Sequence, residues 1–364
     1  MYLTSSNLVY YLVSRGTISR SSVVEGDFQV HELDGRNRCF RVVRRNHPSL
    51  FVKQIKVIDD RTVQCLAREV ACYRLGQSDP SWAALAQLIP RFIDYDPSRF
   101  ALIVEFVPGS EDLRECHRRL GCFPVEIARL LGRGLGSLHF ATGEILSDPD
   151  AVAAFPRETP WILSVHQSTD RETGTDGTLA GIVRQDTGWQ QALDTIRQSW
   201  QHDALIHGDL KWDNCIVFPG TGESPEVRLV DWELADFGDS AWDVGGVFQA
   251  YWSISVLRAL RQIESIPANL LEWIGPGIEL ELPALREFWA GYLATRAWDT
   301  RSKSEFVDRC VRCGAARMMQ TAFEYAAAIG QVNDRALALF QVCREILRDS
   351  KRAVPWLLGL DARE

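Results

Sequence analysis

The 364-residue chain is 46% apolar, which is enough for a sizeable core, excludes global disorder and allows two domains or one large bilobal unit. A formal net charge of -8 argues against a nucleic-acid partner, no apolar run approaches the roughly 20 residues of a membrane helix, and Leu8–Val13 is too short and too poorly flanked for a signal peptide. Nine cysteines, an odd number spread over the chain, suit a reducing compartment better than a disulfide framework, so a cytoplasmic location is expected.

From the N-terminus, Asn7–Ser14 has helical spacing and ends at Gly16, an entry helix. Alternation begins at Gly26, turns at Asp34–Asn37 and resumes through Phe40, Val42 and Val43, a hairpin with Gly35 at its tip. A third strand, Ser49–Val57, carries Lys53 and Lys56, which the strand period sends to opposite faces. Glu69 follows 16 residues after Lys53, inside the helical run Thr62–Leu75. Ala101–Val107 reads as a further strand, ending at Pro108–Gly109.

Beyond it, Ile127, Leu130, Leu131, Leu135 and Leu138 mark a buried helix over Val125–His139. Residues 141–203 change character: Pro156 and Pro160 interrupt regular structure, Ser168–Thr178 reads as a polar and mobile loop, and Trp189–Trp200 is helical. The tail 283–364 predicts three packed helices with Pro355 closing the last. Cys310 and Cys313 form a CxxC on a helix with no second pair nearby, a poor metal or redox candidate.

The most informative stretch is Leu205–Asp243. It holds His207-Gly208-Asp209, then Asn214 five residues after Asp209, then a β-like run, Glu226–Val230, that delivers Asp231. This spacing resembles the kinase catalytic loop, in which an Asp accepts the acceptor hydroxyl's proton, an Asn holds Mg²⁺ and a second Asp bridges metal to phosphates. Carboxylate and amide oxygens are hard ligands suited to Mg²⁺, so Asn214 and Asp231 are the expected metal ligands and Asp209 the expected base. Either piece alone would read as a polar turn or a strand end; their coincidence favours the kinase-like reading.

That reading assigns the upstream elements. Lys53, after Phe51-Val52, matches the lysine that contacts the α- and β-phosphates, with Glu69 as its ion-pair partner; a solvated helix charge is the alternative for Glu69. The Asp34–Arg38 tip, including Gly35, would cover the phosphates, although with one glycine a plain turn is an equally good reading. Backbone groups from Glu105 to Val107 would meet an adenine edge. The expected fold is α+β and protein-kinase-like: a small antiparallel-sheet N-lobe, 1–107, and a large helical C-lobe, 108–364, with an insertion at 141–203 and a helical tail at 283–364.

In place of a DFG and APE pattern the chain has Asp231-Trp232-Glu233 and Gly238-Asp239-Ser240-Ala241-Trp242-Asp243. With His207–Asn214, these resemble the aminoglycoside phosphotransferase and choline kinase superfamily. The resemblance implies ATP or another NTP and Mg²⁺ as cofactors, with His207 and Asp243 as structural support for the catalytic loop. Phe51–Gln54, Pro160–Leu163, Trp200 and the helical tail are similar to phosphotransferase-like proteins of class V lanthipeptide and thioamitide (RiPP) pathways. That similarity implies a Ser or Thr hydroxyl of a precursor peptide as acceptor, with a separate partner lyase eliminating the phosphate. A small-molecule kinase for an aminoglycoside, sugar or amino alcohol is the alternative, for which Glu264, Glu272, Glu279 and Glu281 are a candidate acidic cluster unless they are a solvated face. A pseudokinase binding module is the second alternative, disfavoured because the catalytic-type residues are intact.

Overall fold

The computed structural model describes residues 2–147, 152–167, 174–220, 224–262 and 265–359, and the chain divides into two compact units. Met1–Cys116 and Asp213–Ala235 belong to the first, with Ala153–Phe155; the remainder forms the second.

The first unit is built on a five-stranded antiparallel sheet of β1 (Phe28–Leu33), β2 (Arg38–Arg44), β3 (Ser49–Gln54), β4 (Phe92–Asp96) and β5 (Ala101–Phe106), in the order β1-β2-β3-β5-β4. Alternation along the strands sends Phe40, Val42, Leu50, Val52, Ala101 and Ile103 to one face. There they pack with Leu8, Tyr11 and Leu12 of the entry helix, Leu8–Ser14. Lys53, next along β3 and opposite Cys39 and Leu102, faces the other way. β3 stops at Gln54, so the strand period does not carry on to Lys56, which is exposed and donates to the Gly35 carbonyl at 2.6 Å.

The Asp60–Leu75 helix is capped by Asp59, whose carboxylate accepts the Thr62 amide at 2.7 Å. Leu66, Val70 and Tyr73 are buried, and Glu69 is buried among them. A hairpin of Cys215–Pro219 and Pro225–Leu229, joined on its outer side by Glu111–Asp112, completes the unit. Its open end places Asn214 beside Val230, whose amide donates to the Asn214 carbonyl at 2.9 Å.

Among the described residues, the second unit is helical apart from a short antiparallel pair, Ala204–Ile206 with Asp236–Gly238. Two helix crossings set its architecture, and both need glycine. A Cβ on Gly132 would stand 2.0 Å from the Phe288 carbonyl oxygen, so the Val125–Gly143 and Leu282–Leu293 helices approach at backbone contact. A Cβ on Gly245 would stand 2.5 Å from the Gly314 nitrogen, which fixes the Ser240–Ala259 helix against Thr300–Ile329. Ser240–Ala259 is buried on nearly every side, in keeping with its apolar circumference. Of the loop expected over Ser168–Thr178, residues 168–173 lie outside the described residues, and 174–178 instead open a helix, Gly174–Gln185.

The tail departs from three helices. Leu282–Leu293, Thr300–Ile329 and Asp334–Arg348 are followed by a fourth, Ser350–Leu358, and Pro355 lies inside it rather than closing the third. The break falls at Asp349, whose backbone leaves the helical region (φ -154°, ψ 77°) and whose side chain caps the new helix by accepting the Arg352 amide. Cys310 and Cys313 are buried free thiols, and burial holds both far above the ordinary thiol range, so neither is a ready thiolate. The acidic candidates do not form an open cluster among the described residues. Glu281 is buried against Arg258 at 2.6 Å, Glu272 pairs with Arg352 at 3.1 Å, Glu279 is exposed, and Glu264 lies outside the described residues.

Candidate active site

In the first unit, the Lys53 ammonium is the focus. It lies 2.7 Å from Glu69, 2.5 Å from Asp231 and 3.5 Å from Glu233, with its side chain 8% exposed. The sheet supplies Lys53, the helix behind it supplies Glu69, and the Trp232–Leu234 turn packed on that helix brings Asp231 and Glu233. Burial disfavours the Lys53 charge, but the carboxylates of Glu69, Asp231 and Glu233 outweigh it and hold its pKa well above the usual lysine range. Burial pushes Glu69 up to about 7 against the pull of Lys53. Glu69 is therefore an interior ion-pair partner and not a solvated helix charge.

Asp231 has φ 66° and ψ 54°, a left-handed backbone at the exit of the hairpin. Trp232 anchors the turn through its indole N–H to the Leu229 carbonyl at 3.0 Å. Asn214 is buried at the other strand's entrance. Gly35 sits at the β1–β2 tip, but a Cβ there would meet only the Asn37 carbonyl oxygen at 3.9 Å, so the position does not require glycine. The neighbouring Arg36 is ion-paired with Glu233. At the end of β5, the Glu105 amide donates to the Arg91 carbonyl at 2.8 Å and the Val107 carbonyl accepts from Ser110 at 3.2 Å.

In the second unit, Asp209 follows the short strand Ala204–Ile206. Its Oδ1 accepts from Arg317 at 2.8 Å and its Oδ2 from Lys211 at 2.7 Å. Burial would raise its pKa, yet Arg317 and Lys211 together lower it to about 2. The loop carrying Asp209 is held from below: Asp243, fully buried, accepts the His207 amide at 2.6 Å and the Gly208 amide at 3.0 Å, and His139 Nε2 stands 3.4 Å away. Burial alone would raise Asp243; the His139 contact and these amides keep it below the ordinary carboxylate range. Trp242 adds an indole N–H to the Gly208 carbonyl at 3.0 Å.

Lys53, Glu69 and Asp231 are thus brought together in one unit with Asn214 at the same hairpin end, and His207, Asp209 and Asp243 are brought together in the other. Sequence reasoning missed four charged neighbours. Glu233 and Lys211 each stand two residues after a recognised Asp, a signal that could have found them. Arg36 adjoins the tip glycine. Arg317 comes from an alanine-rich helix 108 residues from Asp209 and has no local signature. An Asp-Phe-Gly tripeptide does occur at 236–238, but Asp236 is buried and accepts the Arg157 and Glu158 amides, both at 2.8 Å, a structural use.

The signature of the phosphotransferase enzyme family matches residues 30–266, more than half of the chain. The chain belongs to this family. It is a phosphotransferase acting on hydroxyl groups, of the aminoglycoside phosphotransferase and choline kinase type. No curated protein matches the sequence. Solved structures show the same kinase-like fold. Ethanolamine kinase from Plasmodium vivax is 13% identical, with TM-score 0.59 over 96% of this chain and 91% of that one. The GDP complex of aminoglycoside 2'-phosphotransferase-IIIa is 14% identical, with TM-score 0.58 over 96% and 100%. The amicoumacin kinase hAmiN, in complex with AMP-PNP, Ca²⁺ and Ami, is 14% identical, with TM-score 0.56 over 93% and 95%.

Proposed function

We propose that this phosphotransferase moves the terminal phosphoryl group of ATP or another nucleoside triphosphate to a Ser or Thr hydroxyl of a precursor peptide in natural-product biosynthesis. The observation that carries the catalytic part is the buried Lys53 ammonium held among Glu69, Asp231 and Glu233. Three carboxylates around one lysine leave an excess of negative charge that suits a cation, and the donor set, a carboxylate from Asp231 and an amide oxygen from Asn214, suits Mg²⁺. Bound there, Mg²⁺ would neutralise charge on the phosphate oxygens. Lys53 then serves as a fixed positive group for the phosphates, steadied by Glu69. Nucleotide binding is also supported by relatives of the same fold, one solved with AMP-PNP and another with GDP.

Glu105 and Val107 supply the backbone groups for the base. The Glu105 N–H and the Val107 C=O are bonded to Arg91 and Ser110, and the Glu105 carbonyl and the Val107 amide are the pair assigned to an adenine edge. Gly35 and its tip cover the phosphates. Asp209, with His207 and Asp243 beneath it, orients the acceptor hydroxyl and takes its proton as the new bond to phosphorus forms. In a loose transition state little basicity is needed, and an Asp kept ionised is always ready to accept.

The peptide acceptor is favoured over a cationic small molecule by the surface of the helical unit. Its acidic candidates form no open cluster among the described residues, while a cavity of about 750 Å³ is lined by Arg261, Arg335 and Asp334, by Arg258 already paired with Glu281, and by apolar Ile254 and Leu257. Arg261 and Arg335 leave that lining a small positive excess over Asp334, which suits acidic and apolar side chains better than a polycationic aminoglycoside. A separate lyase acting on the phosphorylated product completes this reading, and the reduced cysteines fit the cytoplasm as its place. Incubation with ATP, Mg²⁺ and either candidate precursor peptides or aminoglycosides and amino alcohols, read by mass spectrometry, tests it. Phosphate on a Ser or Thr of a peptide supports the reading; phosphate only on a small molecule overturns the acceptor, and nucleotide binding with no product on any acceptor favours a binding module.

A further inference from the structure

Arg317 stands in the interior at 3% exposure, on the Thr300–Ile329 helix, one turn beyond the Gly245–Gly314 crossing. Its Nη2 donates to Asp209 Oδ1 at 2.8 Å, and its guanidinium carbon lies 5.5 Å from the Trp242 ring centre. Its Nε and Nη1 are buried with no hydrogen-bond partner among the described residues. A buried guanidinium with two unsatisfied nitrogens is an unfavourable filler; an apolar side chain of similar volume would pack that site with a smaller desolvation penalty. What the guanidinium does, and Met or Leu could not, is hold one oxygen of Asp209. The other oxygen is held differently: Lys211 reaches Oδ2 from a side chain 35% exposed, on a flexible stem that can swing aside.

We propose that Arg317 is the positioning residue of the transfer: it pins Asp209 through Oδ1 and reserves Oδ2, once Lys211 moves aside, for the proton of the acceptor hydroxyl. The inference rests on Asp209 being the base. In the step, the acceptor O–H bond breaks and its proton passes to Oδ2. The hydroxyl oxygen forms a bond to the terminal phosphorus of the nucleoside triphosphate, the bond from phosphorus to the bridging oxygen breaks, and the electron pair leaves on the nucleoside diphosphate. Asp209 then returns the proton to solvent. Arg317 exchanges no proton at any point; its part is to keep the carboxylate in one orientation and charged, through a helix whose crossing glycine sets its distance.

The test is steady-state kinetics on the full chain with ATP, Mg²⁺ and the acceptor found active. Arg317→Met is expected to lower kcat about 100-fold, the cost of a misplaced catalytic group, with KM for both substrates within about threefold. Arg317→Ala is expected to regain much of the lost kcat with millimolar guanidinium chloride and none with sodium chloride. A folded Arg317→Met with wild-type kcat, or a loss confined to KM, overturns the proposal, as does an Arg317→Ala loss that guanidinium does not restore. Should Arg317→Met fail to melt cooperatively, Arg317→Lys decides: a tenfold or greater fall in kcat at unchanged Tm supports positioning, and wild-type kcat removes it. Asp209→Asn separates the two readings. Full activity in that variant defeats the base assignment, whereas an inactive Asp209→Asn beside a fully active Arg317→Met defeats only the role of Arg317.

Discussion

Glu69 meets the Lys53 ammonium at 2.7 Å in the interior of the first unit, with 4% and 8% of the two side chains exposed. Lys53 is the main counter-charge of Glu69, while Lys53 itself is held by Asp231 and Glu233 as well. Lys53→Met leaves the Glu69 carboxylate buried without its main counter-charge, so a loss on the order of 3 kcal/mol in urea unfolding is expected. Adding Glu69→Gln should recover part of it, a coupling of about 1–3 kcal/mol in the double-mutant cycle. Additive losses would mean that the pair is not energetically linked. Both variants should also lose the rise in Tm that ATP with Mg²⁺ gives the parent.

Asp231 combines a left-handed backbone with a contact to Lys53 at 2.5 Å. Asn tolerates that conformation and Val does not. Asp231→Asn is therefore expected to melt within a few degrees of the parent while phosphate transfer falls at least 100-fold. Asp231→Val is expected to lose about 1–2 kcal/mol more in stability than Asp231→Asn. Transfer at the parental rate in Asp231→Asn would remove the carboxylate from the chemistry.

Asp243 satisfies the buried His207 amide and the half-buried Gly208 amide of the loop that carries Asp209, and its effect on catalysis runs through that loop. Asp243→Ala strands both amides, and a cost of about 3–5 kcal/mol is expected. Asp243→Asn keeps an oxygen acceptor, so thermal melts should rank parent, then Asn, then Ala. An Ala variant as stable as the parent would show that the loop holds itself.

The two Asp-containing motifs were legible in the sequence because each is a short run fixed by local backbone: a turn after Ile206 and a hairpin closing at Asp231. The pairing of Lys53 with Glu69 was legible because Lys53 directly follows Phe51-Val52 and Glu69 stands among Leu66, Val70 and Tyr73 on the inward face of its helix; the strand period alone could not choose between Lys53 and Lys56. Arg317 was not, since nothing in an alanine-rich helix tells which of its arginines turns inward; that is decided by the Gly245–Gly314 crossing, a relationship between two distant glycines. Pro355 misled for the opposite reason. Proline commonly marks an end, but here Asp349 had already capped a new helix, and the buried side chains of Ala353, Leu357 and Leu358 hold it together despite the missing amide.

His117 gives the helical unit a pH dependence of its own. Its ring is buried edge-on against Phe123 at 4.8 Å and Trp212 at 4.5 Å, and burial lowers its pKa to about 4. The unfolded chain, with an ordinary histidine near 6.5, binds the proton more readily below that pH, so the contribution is full above 6.5 and is lost progressively as pH falls toward 4. Its size is on the order of 3 kcal/mol, from the fall of the ring's pKa from 6.5 to about 4. Glu69, raised to about 7, works the other way in the same window, because the folded state then holds the extra proton as pH falls. The raw stability curve therefore mixes two opposed slopes. Urea unfolding of the parent and His117→Phe at several pH values between about 7 and 4.5 separates them. The stability difference should shift steadily in favour of the variant as pH falls, and a difference that stays constant with pH would show that His117 takes no part.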